Sequence, residues 1–80
     1  MKLCEAFASR LTELLAERNI SLYKFCVNSG IGRSTLINLS KGDSKSPTLE
    51  TVYQVSDALG ITPQEFLSSE LFNPGNIDLK

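Results

Sequence analysis

Apolar residues recur at helical spacing along almost the whole of this chain, and nowhere do they keep the strict alternation of a strand. Phe7, Leu11, Leu14 and Leu15 follow the i, i+4, i+7, i+8 order of one apolar stripe, on a helix from about Leu3 to Arg18 whose polar face carries Arg10, Glu13 and Glu17. Such stripes can be buried only by packing helix on helix, so the fold class is all-α. Eighty residues allow one small domain. A domain of that size buries little more than about 60% of its unfolded surface. A few helices can share one core, but a pocket that engulfs a substrate is not expected.

The breaks between stripes are as informative as the stripes. Asn19 ends the first helix and Ser21 caps a second, with Ile20 before the cap and Phe25 four places after it forming a hydrophobic staple. Leu22, Phe25, Cys26 and Ser29 mark its inward side. Gly30-Ile31-Gly32 then stops it, because glycine takes a positive φ at a helix C-terminus without steric cost. A third helix fits Arg33 to Ser40, with Leu36 and Leu39 inward and Arg33, Ser34, Ile37, Asn38 and Lys41 outward. Lys41 to Pro47 is a loop by composition. Thr48 caps a fourth helix in which Leu49, Val52, Tyr53, Ser56 and Leu59 repeat on one face, and Gly60 closes it. Thr62-Pro63-Gln64-Glu65 is a capping box with proline at the first helical position, opening a fifth helix with Phe66 and Leu67 inward. Asn73-Pro74-Gly75-Asn76 is a turn. The expectation is a compact five-helix domain over residues 1–72, followed by a tail at 73–80.

Charge narrows the function. The net charge of −1 argues against a strongly basic nucleic-acid binder, but its distribution is uneven. From Arg18 to Lys45 the chain carries Arg18, Lys24, Arg33, Lys41 and Lys45 against Asp43 alone, while the remainder holds three basic and eight acidic residues. An anion-binding face on an acidic body has this pattern. There is no histidine, and Cys4 and Cys26 stand far apart without a CxxC pair, so zinc-finger and thioredoxin-like readings fail. No metal or cofactor is expected. Without histidine the acids, serines and tyrosines form no nucleophile and base constellation, so an enzyme is not expected either. The longest stretch free of charge, Phe25 to Gly32, is far short of the roughly 20 apolar residues of a membrane span. With no apolar segment before Glu5 to make a secretory signal, the cytoplasm is the expected location.

Two short helices joined through Gly30-Ile31-Gly32 fit a helix-turn-helix, from about 22 to 41, in which the second helix enters the DNA major groove. The steep crossing wants a small residue, a glycine turn and apolar inward faces, which Cys26, Gly30, Ile31, Leu36 and Leu39 supply in order. Phe25-Cys26, Gly30-Ile31-Gly32-Arg33-Ser34-Thr35-Leu36, Lys41-Gly42, Ser46-Pro47-Thr48-Leu49-Glu50-Thr51 and Ala58-Leu59-Gly60-Ile61 together resemble the phage-repressor and Cro-like helix-turn-helix family. The resemblance spans roughly Arg10 to Leu67. It implies a five-helix, repressor-like DNA-binding domain, commonly a dimeric transcriptional regulator. By position it implies that Arg33, Ser34 and Asn38 face base edges, Ile37 the edge of the groove, Lys41 and Lys45 the phosphates, and Thr35 the DNA backbone. The chain also departs from the family. Leu22 and Arg33 stand where glutamines are frequent, and the first of those glutamines usually braces a phosphate and the recognition helix. Ser29 replaces an apolar residue, and Leu15 and Ser40 replace an arginine and glutamate pair.

In physical terms, Arg33 can present its guanidinium fork to guanine O6 and N7, and Asn38 can bond adenine N6 and N7. The start of the second helix, at Ser21 and Leu22, still offers backbone amides and a partial positive charge to a phosphate. Lys41, Lys45, Ser44 and Ser46 suit phosphate oxygens. Tyr23 has two uses open to it, a phosphate contact or stacking on the first helix. A single module this small covers only about 600 to 1,000 Å² of interface, so two copies are expected on one double-stranded operator. Leu71 and Phe72, adjacent apolar residues after Glu70 with no obvious inward partner, are the candidate homodimer contact. The competing reading is a protein-interaction or antitoxin-like module that keeps the fold with weak or no DNA binding, for which the acidic balance and Leu22 argue.

Overall fold

The computed structural model describes residues 1–42 and 47–78. Five α-helices follow one another, α1 Leu3–Glu17, α2 Leu22–Ser29, α3 Arg33–Lys41, α4 Leu49–Leu59 and α5 Pro63–Phe66, with short 3-10 turns at Glu70–Phe72 and Pro74–Asn76. The fold is all-α, as its stripes require. Phe7, Leu11, Leu14 and Leu15 of α1 meet Phe25 of α2, Leu36 and Leu39 of α3, Val52, Val55 and Leu59 of α4 and Phe66 of α5 in one core. The rings of Phe7 and Phe66 lie 5.1 Å apart in a tilted pair at its centre.

Helix ends follow the residues that mark them. Ser21, Thr48 and Thr62 accept from the backbone N–H three places on, those of Lys24, Thr51 and Glu65. Gly30, Gly42 and Gly60 take the left-handed conformation that closes α2, α3 and α4. Asn19 does the same between α1 and α2, with φ 57°. Ile20 and Phe25 both pack into the core across the Ser21 cap.

Three expectations are corrected. On α4 the inward face is Val52, Val55, Ser56 and Leu59, and Leu49 and Tyr53 point to solvent at 69% and 57% exposure. The stripe 49, 53, 56 misleads because Val55 and Ser56 sit on either side of the buried line, with the Ser56 hydroxyl satisfied by Val52 O at 2.7 Å. Leu67 is exposed, since α5 ends one residue earlier and the chain turns away. Phe72 does have an inward partner. The Glu70–Phe72 turn packs on α1 and sets its ring 6.1 Å from that of Phe66, leaving both Leu71 and Phe72 half-buried.

The expected tail is, as far as Asp78, a return to the start of the chain. The Met1 amino group donates to Asn76 O at 2.9 Å and lies 3.3 Å from the Asp78 carboxylate, and Asp78 N–H donates to Met1 O at 2.8 Å. Arg10 corrects the reading of α1 as well. Rather than facing water, its Nε and Nη2 donate to Phe66 O and Glu65 O at 2.9 and 3.0 Å, and its Nη1 pairs with Glu13 at 2.7 Å. It caps the carbonyl end of α5 from across the core.

Candidate nucleic-acid interface

The α2–α3 turn is built from small polar contacts. Ser29 donates from its hydroxyl to Cys26 O at 3.3 Å and accepts from Ile31 N–H at 3.2 Å, so a serine where the family has an apolar residue still closes the turn. Cys26 sits half-buried at the crossing with Sγ 3.5 Å from Ile31 O. At its far end α3 is clamped against α1. Cys4 Sγ donates to Gly42 O at 3.3 Å, and a Cβ at position 42 would lie 3.3 Å from both Ala8 Cβ and Glu5 Cα. A side chain at position 42 would crowd α1 and strain a turn that runs at φ +71°.

Leu36 and Leu39 anchor α3 in the core, which leaves the opposite side of the helix outward. Arg33, Ser34, Thr35, Asn38 and Lys41 are all exposed, and Ile37 is half-buried at the edge facing α2. The structure therefore brings all four base-reading candidates, Arg33, Ser34, Ile37 and Asn38, onto one helix, together with Thr35 and Lys41. Beside them α2 presents Ser21, Tyr23 and Lys24 at its first turn. Ser21 Oγ is occupied by its cap bond to Lys24 N–H at 3.1 Å, with the hydroxyl proton still available to donate. Leu22 is half-buried against the core, so its side chain offers nothing to a ligand and only its backbone amide does. Lys45 and Ser46, with Ser44, lie outside the described residues.

No acidic residue occurs from Leu22 to Lys41, where Lys24, Arg33 and Lys41 stand. Among the described residues the ion pairs lie elsewhere, between Arg10 and Glu13 and between the Met1 amino group and Asp78. The exposed face of the helix pair is thus cationic, and among the described residues no carboxylate pairs with its cations. Tyr23 stands beside the first residue of α3. The Arg33 guanidinium lies over its ring, 5.9 Å from the centroid. That pairing was not legible from spacing, because residues 23 and 33 come together only through the angle of the turn between them. Among the described residues no group of acids and cysteines could hold a metal ion, and no helix is long and apolar enough to cross a membrane.

Comparison with known proteins agrees with this geometry. The model of the Cro/C1-type helix-turn-helix DNA-binding domain matches residues 10–70. Among solved structures, prophage Lp1 protein 11 is 31% identical, with a TM-score of 0.76 over 91% of this chain and 97% of that one. A transcriptional regulator of the HTH_3 family from Vibrio cholerae shares the fold with a TM-score of 0.76 at 24% identity, over 85% of this chain. The match spans 38% of that regulator's length. No curated protein matches the chain. From its helix order, its turn and its outward cationic helix, the chain belongs to the Cro/C1-type helix-turn-helix DNA-binding domain family.

Proposed function

We propose that the protein is a sequence-specific, repressor-like transcriptional regulator of the cytoplasm that lays α3 in the DNA major groove. The observation that carries this reading is the outward face of α3, where Arg33, Ser34, Asn38 and Lys41 are exposed and the first turn of α2 flanks them. Arg33 reads guanine O6 and N7 through its fork, Asn38 reads adenine N6 and N7, and Ser34 and Ile37 complete the base-facing set. Lys41, Thr35, Ser21 and the α2 backbone amide of Leu22 are assigned to the phosphates that flank the inserted helix, and Lys45 and Ser46 are assigned the same role.

Two copies bind one operator, since one module of this size covers too little DNA for tight specific binding. Phe72 is committed to its own core, so the contact between copies is moved from Leu71 and Phe72 to Leu49 and Tyr53, the exposed apolar pair one turn apart on α4. Sedimentation on operator DNA tests this. Leu49→Ser/Tyr53→Ser should load the two copies without cooperativity, and unchanged cooperativity overturns the assignment.

Selection of bound sequences from a random duplex pool tests the main reading. A recovered two-fold symmetric site with half-sites roughly 34 Å apart is expected. If the protein shows no binding even to mixed-sequence duplex at low salt, where cationic contacts alone should suffice, the interaction-module reading replaces this one.

A further inference from the structure

Arg33 opens α3 at an exposed N-terminus whose cap, Gly32, supplies no side-chain bond. A long, flexible side chain at such a place loses discrimination if it samples many rotamers before reaching a base. Here the aromatic face of Tyr23 lies within the roughly 6 Å over which a guanidinium is attracted to a ring. Tyr23 is 68% exposed and takes no part in the core, so burial does not explain its orientation. Leu22, Cys26, Leu36 and Ile37 line a crevice of about 140 Å³ directly beside the pair, giving the ring and the arginine stem an apolar floor.

We infer that Tyr23 is a positioning residue for Arg33: its ring holds the guanidinium fork toward a guanine edge and so sets discrimination at that base, and its hydroxyl does not serve as a phosphate contact. The inference rests on Arg33 reading guanine. The second residue of α2 thus steadies the first residue of α3 through its aromatic face.

The test is a set of variants measured on the selected operator, on the same operator with each guanine in turn replaced by 7-deazaguanine, and on scrambled duplex. Arg33→Ala identifies the guanine whose N7 is read. Tyr23→Leu should lower preference for that guanine about two- to five-fold and leave scrambled-duplex affinity and its salt dependence unchanged. Tyr23→Phe, which keeps the ring and loses the hydroxyl, should retain full preference. In the Arg33→Ala background Tyr23→Leu should have no further effect. Uniform weakening of all duplexes by Tyr23→Phe means a phosphate contact and overturns the inference. Unchanged preference in Tyr23→Leu also overturns it, while leaving the Arg33 reading intact. If Arg33→Ala alters no guanine preference, both fall together, and that result is seen in a different variant.

Discussion

α1 and α3 pack against each other, yet of the 15 residues of α1 seven are buried, and of the nine residues of α3 only Leu36 and Leu39 are. Their partners differ in the same sense. α1 is the wall on which α3, the Glu70–Phe72 turn and, through Arg10, the end of α5 are assembled. α3 is held by two leucines and by its ends, the Ser29-stabilised turn at one and the Gly42 approach at the other. A helix fixed by so few inward contacts can vary its outer face without loss of stability, because nothing in the core depends on that face. The charges follow this division. Acidic residues collect on α1, α4, α5 and the C-terminal turn, and the helix pair α2–α3 carries none. On the proposed reading, stability and DNA binding are separated between two surfaces of one small domain.

Substitutions should respect that division, and the largest effects should fall on the scaffold. Phe66→Ala removes a ring with no exposure that stacks on both Phe7 and Phe72, and should cost about 3 to 5 kcal/mol, a large share of the stability of a small domain. A thermal melt reads it. Arg10→Ala leaves the Phe66 and Glu65 carbonyls without their partner and should cost about 1.5 to 3 kcal/mol in urea unfolding, with DNA affinity restored when the folded fraction is accounted for. The glycines that close α2 and α3 sharpen the contrast. Gly30→Ala meets open space and should cost about 1 to 2 kcal/mol for its positive φ. Gly42→Ala carries the same backbone cost plus two 3.3 Å contacts with α1, so equal destabilisation of the two variants would contradict the clamp. On the outer face the stability effects should nearly vanish. Arg33→Ala and Lys41→Ala should stay within about 0.5 kcal/mol of the parent on melting. In binding they should part company. Arg33→Ala should lose about 1 to 3 kcal/mol at one base, and Lys41→Ala should lower the salt slope by about one for every sequence.

What the sequence made legible was whatever is decided locally. The caps at Ser21, Thr48 and Thr62, the glycine stops at Gly30 and Gly60, the inward Leu36 and Leu39 and the cationic middle segment each depend on residues within one or two turns of each other. What escaped depends on how helices are set against one another. Arg10 read as a surface arginine because its carbonyl partners lie more than 50 positions away, at Glu65 and Phe66. Tyr53 read as inward because the line through Leu49, Val52, Ser56 and Leu59 passes near it, whereas the buried line is rotated toward Val55 and leaves Tyr53 in solvent. Phe72 read as unpartnered because only the return of the chain across α1 brings it to Phe66. In the candidate site, membership of α3's outer face follows from period alone, and the Tyr23 and Arg33 pairing from the angle of the turn.

Titration of isotopically labelled protein with a mixed-sequence duplex at low salt, followed by backbone amide shifts, tests the separation of the two surfaces most directly, since it requires no knowledge of the operator. The account predicts that the perturbed amides concentrate at Ser21–Lys24 and Arg33–Lys41, with the outer faces of α1 and α5 and the Glu70–Phe72 turn unmoved. Perturbations centred on α1, α5 or that turn, with α3 silent, would contradict it.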